Sequence, residues 1–171
     1  MIKGLKGDSP VLKFFADITD IPRCSKNEEE ISNYLKQWAL DRKLEVIQDD
    51  VNNIIIKKPA TEGYEDEPTT ILQGHMDMVC GAVKGHEHNF CSDPIEAVVE
   101  GDRIIAKNTT LGADDGIAVA MMLAILDGDY PHPALECLIT VDEETNMTGA
   151  HNVEGKYFEG RRLINIDSEE E

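Results

Sequence analysis

The 171-residue sequence predicts an α/β fold of three layers, with helices on both faces of a mostly parallel sheet. Three observations point there. Short apolar runs at residues 69–72, 135–141 and 163–166 have the length and composition of buried parallel strands. Between the first two lies an almost wholly apolar stretch, 115–126, with Ile117, Ala120, Met121, Ala124 and Ile125 at helical spacing. Each strand-like run also ends at side chains that can ligate a metal or move a proton, and ligands of open parallel sheets gather beyond the carboxyl ends of the strands.

Taken in order, the first clear helix is expected from Ser25, because Ser25 and Glu28 have capping-box spacing. Ile31, Tyr34, Leu35, Trp38 and Ala39 then repeat on one face, which should meet the sheet. Residues 44–48 and 53–57 read as two strands joined through Asp49, Asp50 and Asn52, a hairpin-like edge. A polar connector over 59–68 leads to the strand that ends at His75, and a longer loop over 81–94 follows. Residues 101–107 form a short strand, antiparallel or at an edge. The helix over 115–126 is apolar on almost every side and should be buried, with Met121 and Met122 in the core. Its N-terminus carries Asp114 and Asp115 where the macrodipole favours negative charge, and Gly112 and Gly116 would let the backbone pass close to a ligand. Strand, helix and strand repeat through Asp167, with no internal repeat or interdomain linker, so residues 1–171 read as part of one domain.

Composition narrows the function. A formal charge of -18 argues against nucleic acid and anionic membranes, which need excess lysine and arginine to meet phosphate. No apolar run approaches the roughly 18 to 20 residues of a membrane-spanning helix. The four cysteines, Cys24, Cys80, Cys91 and Cys137, form no CxxC pair and read as core or surface thiols. With no secretory signal in view, a reducing cytoplasm is the simplest compartment.

The chemistry lies in four segments: ILQGHMD with His75 and Asp77, LGADDG with Asp114, LITVDEE with Glu143 and Glu144, and LINID with Asp167. Taken singly, each has an ordinary explanation as a helix start, strand end or turn. Arriving together at strand ends, they suggest a divalent metal site, and zinc accepts such a mixture of nitrogen and oxygen donors. His75 and Asp77, two apart, can lie side by side, so that the carboxylate steadies the imidazole. Adjacent Glu143 and Glu144 point apart, so one can hold metal while its neighbour takes a proton from an activated water. His86, His88, His132 and His151 sit in polar loops and are expected at the surface, although His86 and His88 have spacing that can grip a metal.

GHMDMV, NTTLGADDGIAVAMMLAIL, TVDEETNMTGA and LINIDSEEE, in this order and spacing, resemble the aminoacyl-histidine (cytosolic non-specific) dipeptidases of the dinuclear zinc aminopeptidase-like family. The likeness continues upstream through IPRCSKNEEEISNYLKQWA and NIIIKKPAT. It implies that His75 and Asp167 bind one Zn2+, Glu144 binds a second and Asp114 bridges them, with Co2+ or Mn2+ as substitutes. It further implies that Asp77 backs His75, that Glu143 is the general base, and that the Asp114 to Asp115 peptide bond is cis. The implied substrates are small peptides, Xaa-His and other dipeptides. A last histidine ligand, a lid domain and later strands of such enzymes are not in this sequence. The chain is therefore expected to be the N-terminal part of a catalytic domain, inactive or nearly so alone, with a bare sheet edge that favours self-association, for example as a homodimer. Two other readings compete: a related metallohydrolase acting on tripeptides or N-acyl amino acids, and a non-catalytic metal-binding module.

Overall fold

The computed structural model describes residues 2–167; residues 168–171, the end of the LINIDSEEE motif, lie outside the described residues. In chain order the elements are α1 (Pro10–Thr19), α2 (Glu29–Asp41), β1 (Glu45–Gln48), β2 (Ile54–Lys58), β3 (Thr70–His75), β4 (Ala97–Glu100), β5 (Arg103–Ala106), α3 (Ala113–Asp127), β6 (Leu135–Thr140), α4 (Thr148–Asn152) and β7 (Arg162–Asn165). Five strands form one sheet in the order β1-β2-β6-β3-β7, and β4 and β5 form a separate antiparallel pair. Within the sheet β2 runs against β1 and β6, whereas β3 is parallel to β6 and to β7. All strands except β2 therefore share one direction, which makes the sheet mostly parallel, as expected.

Alternation along the strands divides the core between two faces. Ile54, Ile56, Leu72, Cys137 and Ile139 face the large core with α1, α2 and α3. Ile55, Ile71 and Leu138 face the other way, where Val153, Tyr157 and Phe158 cover them. The third layer is thus the short α4 and the turn after it, much thinner than the first. No helix among the described residues is long and apolar enough to cross a membrane.

Several elements differ from the sequence reading. The structure adds α1, whose start is marked by Ser9, which accepts a hydrogen bond from the Leu12 amide, and by Pro10 in the first turn, where a missing N–H costs nothing. Phe14 of α1 meets Trp38 of α2 edge to face, with ring centroids 5.6 Å apart. The expected capping box at Ser25 is not formed. Helix α2 begins at Glu29, no side chain caps it, and Ser25 is used elsewhere. Strand β7 is exposed along its whole length instead of buried, because it is the sheet edge and neither of its faces is covered. In α3 the buried residues include Ala118, Val119, Met122 and Leu123, while Ile117 and Ile125 are half-buried and Met121 is exposed. A helix apolar all round does not mark in its sequence which side turns inward.

Candidate metal centre

Strand register brings the site together. His75 ends β3 opposite Thr140, which ends β6 just before Asp142, Glu143 and Glu144, and Gln73 lies opposite Asn165, two residues before Asp167. The amide of Met76 donates to the Thr140 carbonyl at 2.8 Å and that of Ile166 to the Gln73 carbonyl at 2.9 Å, extending both alignments past the strand ends. On the remaining side, Asp115 of α3 accepts the His75 backbone N–H at Oδ2, 3.1 Å away. The peptide bond between Asp114 and Asp115 is cis.

His75 is almost fully buried. Its Nδ1 lies 3.2 Å from Asp77 Oδ1 and 3.1 Å from the Asp77 carbonyl oxygen, two acceptors, so this nitrogen carries the proton. Nε2 then faces the cleft, 3.1 Å from Asp114 Oδ1 and 3.9 Å from Glu143 Oε2. Ligand atoms of His75, Glu143 and Asp167 all lie within 4.8 Å of one another, and so do those of His75, Asp114 and Glu144. These two groups share His75 and contain all five candidate ligands and bases. Asp77 stands behind them, fully buried, accepting hydrogen bonds from Ser25 Oγ at 2.8 Å, the Glu143 amide at 3.0 Å and the Glu144 amide at 3.3 Å.

The charge states follow from these contacts. Burial disfavours a charged His75, but the hydrogen bond and charge of Asp77, with Asp115 and Asp167, outweigh it and push the pKa up to about 9. Asp77 is also penalised by burial, yet its hydrogen bonds from His75, Glu143 and Ser25 hold its carboxyl below the usual range. Burial pushes Glu143 up, and the charges of Asp167, Asp77 and Asp114 add to this against the opposing effect of His75. Glu144 rises for the same reasons, with burial first and the Asp114 charge second. Asp115 rises to about 6 through burial, partly offset by the His75 amide and ring. Carboxylates crowded until they resist ionisation, around an imidazole with one nitrogen aimed into the cleft, fit a divalent cation: the donor set is right and a positive charge would relieve the repulsion.

Residues that sequence reasoning passed over support these groups. Ser25 and Asp115 hold Asp77 and the His75 backbone, respectively. Asp142 is buried, and its carboxylate accepts hydrogen bonds from the Thr145 and Thr148 hydroxyls, so it shapes the loop. Glu28 Oε1 accepts the Asp142 amide at 3.0 Å, tying the start of α2 to the same loop. A cleft of about 330 Å³ lined by Val79, Thr110, Leu111, Asp114 and Glu144 opens beside the site.

Among the other histidines, His86 and His151 are exposed and His88 is half-buried against Phe90. None of them belongs to a group able to hold a metal among the described residues. His132 is buried, contrary to expectation, with Nδ1 2.7 Å from the Pro133 carbonyl and its amide bonded to Thr61. Cys24 and Cys80 are joined in a disulfide, whereas both were expected as thiols. Sequence spacing gave no sign of this pair, which the fold creates by setting Cys24 beside Met78 in a parallel bridge.

Known proteins resemble the chain in sequence and in fold. No protein-family model matches the chain. A cytosol non-specific dipeptidase of Escherichia coli (strain K12) is 42% identical over 163 residues, which are 95% of this chain and 34% of that protein. The crystal structure of an aminoacylhistidine dipeptidase from Vibrio alginolyticus superposes with a TM-score of 0.92 at 42% identity, covering 95% of this chain and 33% of that one. A tripeptidase from Staphylococcus aureus follows at a TM-score of 0.78 and 25% identity, over 96% of this chain and 44% of its own. The chain thus spans about a third of the length of the dipeptidases it matches. Along nearly all of its own length, the chain is similar to the cytosol non-specific and aminoacylhistidine dipeptidases, and it has a mixed α/β fold.

Proposed function

We propose that residues 1–171 are the N-terminal part of a metallopeptidase catalytic domain that hydrolyses dipeptides, Xaa-His among them, in a longer enzyme. The observation that carries this reading is the meeting of His75, Asp114, Glu143, Glu144 and Asp167 in two overlapping ligand groups, with Asp77 behind the imidazole. Likeness to the E. coli and V. alginolyticus dipeptidases supports the substrate class, and the name of the former supports a cytoplasmic setting.

In this reading His75 and Asp167 would hold one ion and Glu144 the other, with Asp114 available to both. Zinc suits the nitrogen and carboxylate donors. When bound, such cations acidify water and polarise a peptide carbonyl. Asp77 orients the imidazole so that Nε2 faces the cleft, and by accepting the Glu143 and Glu144 amides it fixes the backbone that carries both glutamates. Glu143 accepts the proton of the attacking water and delivers it to the leaving amine. The remaining two thirds of a dipeptidase of this kind would supply the missing nitrogen ligand and the groups that hold the substrate carboxylate, so the chain alone should hydrolyse little or nothing.

Assaying the longer enzyme on an Xaa-His dipeptide, a tripeptide and an N-acetyl amino acid tests the proposal. Fastest turnover of the dipeptide is expected. Preference for the acetylated compound would reject it, and preference for the tripeptide would favour the second reading, to which the S. aureus likeness lends support.

A further inference from the structure

Arg23 is among the largest fully buried side chains of the protein, and nothing in its sequence context announces it. Burying a guanidinium is costly unless its donors are met and its charge is balanced. Its Nη1 donates to the carbonyls of Met76 at 3.0 Å and Asp77 at 3.3 Å, and Nη2 donates to the carbonyl of Gly112. Nε has no hydrogen-bond partner among the described residues. The two segments so joined are the continuation of β3, which carries His75 and Asp77, and the turn that carries Asp114. The backbone of Arg23 is itself fixed, since its carbonyl accepts the Met78 amide at 3.0 Å.

A slot in the α3 turn receives the guanidinium. A Cβ at Gly116 would lie 2.5 Å from Nη2, and a Cβ at Gly112, where φ is +72°, would lie 2.6 Å from it. The glycines of LGADDG therefore make room for Arg23, and at Gly112 for the Met78 sulfur as well. Burial disfavours the charge, while Asp77 and Asp115 support it, and the net pKa is about 10, so the group is cationic at neutral pH.

We infer that Arg23 is a positioning residue, a buried fork that sets the distance between the His75–Asp77 segment and the Asp114 turn through their backbone carbonyls, with Gly112 and Gly116 as its socket. The inference rests on the metal-centre reading given above for its consequence, but its geometry can be tested without metal. Lysine offers a compact ammonium that cannot reproduce the planar fork. In metal-free Arg23→Lys protein, the ¹⁵N signals of the His75 ring should move away from their wild-type positions while the far-ultraviolet circular dichroism stays native. Wild-type His75 signals in that variant would overturn the inference. With cobalt as probe, Arg23→Lys and Gly116→Ala should each weaken binding about ten- to a hundredfold and change the visible absorption band. Gly116→Ala should add little in an Arg23→Met background, where no guanidinium remains to be displaced; full additivity would sink the socket. Failure of the wild-type chain to bind cobalt would count against the metal centre alone, because the nitrogen signals still judge Arg23. If Arg23→Lys does not fold, the Gly116→Ala protein, with Arg23 retained, gives the same nitrogen and cobalt readouts, and unchanged signals there reject the proposal.

Discussion

The Ser25 hydroxyl donates to Oδ2 of Asp77 at 2.8 Å across 52 residues of sequence, linking the segment before α2 to the strand that carries His75. Asp77 holds the imidazole through its other oxygen, so Ser25 orients the side chain that orients the candidate ligand. Replacing Ser25 by alanine removes one donor from a buried carboxylate that keeps three others. We expect a stability loss of about 1 to 2 kcal/mol and weaker zinc binding by up to about tenfold. Urea unfolding and competition with a chelating dye measure the two effects. Zinc affinity and stability both equal to wild type would show that this hydrogen bond contributes nothing.

Glu143→Gln separates proton transfer from ligation. The amide keeps the size of the side chain but cannot accept the proton, and His75, Asp114, Glu144 and Asp167 remain. In the longer enzyme, turnover should fall by about a hundred- to ten-thousandfold, with metal content by elemental analysis unchanged. Activity within a factor of two of wild type would exclude Glu143 as the base and favour a non-catalytic metal-binding module.

How legible all this was depended on whether a residue's task is local. His75, Asp77, Glu143, Glu144 and Asp167 could be picked out because each follows an apolar run whose length and composition give its strand, and strand ends place ligands, while Asp114 stands at the start of the long apolar helix. Ser25 and Arg23 could not, since their partners lie 52 to 89 residues away and their local context, a helix start and a polar turn, offered simpler uses. The capping-box spacing of Ser25 and Glu28 was genuine, but a buried carboxylate competed for Ser25 and the Asp142 loop for Glu28. Burial of β7 failed for a different reason. Composition shows that a strand can be buried, whereas only topology shows that it lies at an edge.

Cys137 provides a pH dependence whose sign can be worked out. It is buried in β6, and burial raises its pKa to about 12, with Lys58 opposing. An unfolded cysteine loses its proton near pH 8.5. Below that pH both states are protonated and the group has no differential effect. Above it only the unfolded chain releases the proton, so stability falls by about 1.4 kcal/mol per pH unit until the folded thiol also titrates. Urea unfolding between pH 8 and 10 should show this loss, and Cys137→Ala should have a flatter profile despite its lower stability. Equal slopes would mean that the thiol ionises as readily in the folded protein as in the unfolded chain.

The Cys24–Cys80 disulfide makes a prediction that separates it from the free-thiol expectation. In denaturant without reductant, thiol titration should count two cysteines, Cys91 and Cys137, and reductant should raise the count to four. The bond spans 56 residues, and closing a loop of that length removes unfolded-state entropy equivalent to roughly 4 kcal/mol. Reduction should therefore lower the unfolding midpoint clearly. Because Cys24 lies between Arg23 and Ser25, the same bond pins the segment that reaches both the Asp77 carboxylate and the Gly112 carbonyl. Loosening it should weaken zinc binding as well as stability, whereas a purely distant staple would affect stability alone. Four reactive thiols before reduction would remove the bond and both consequences.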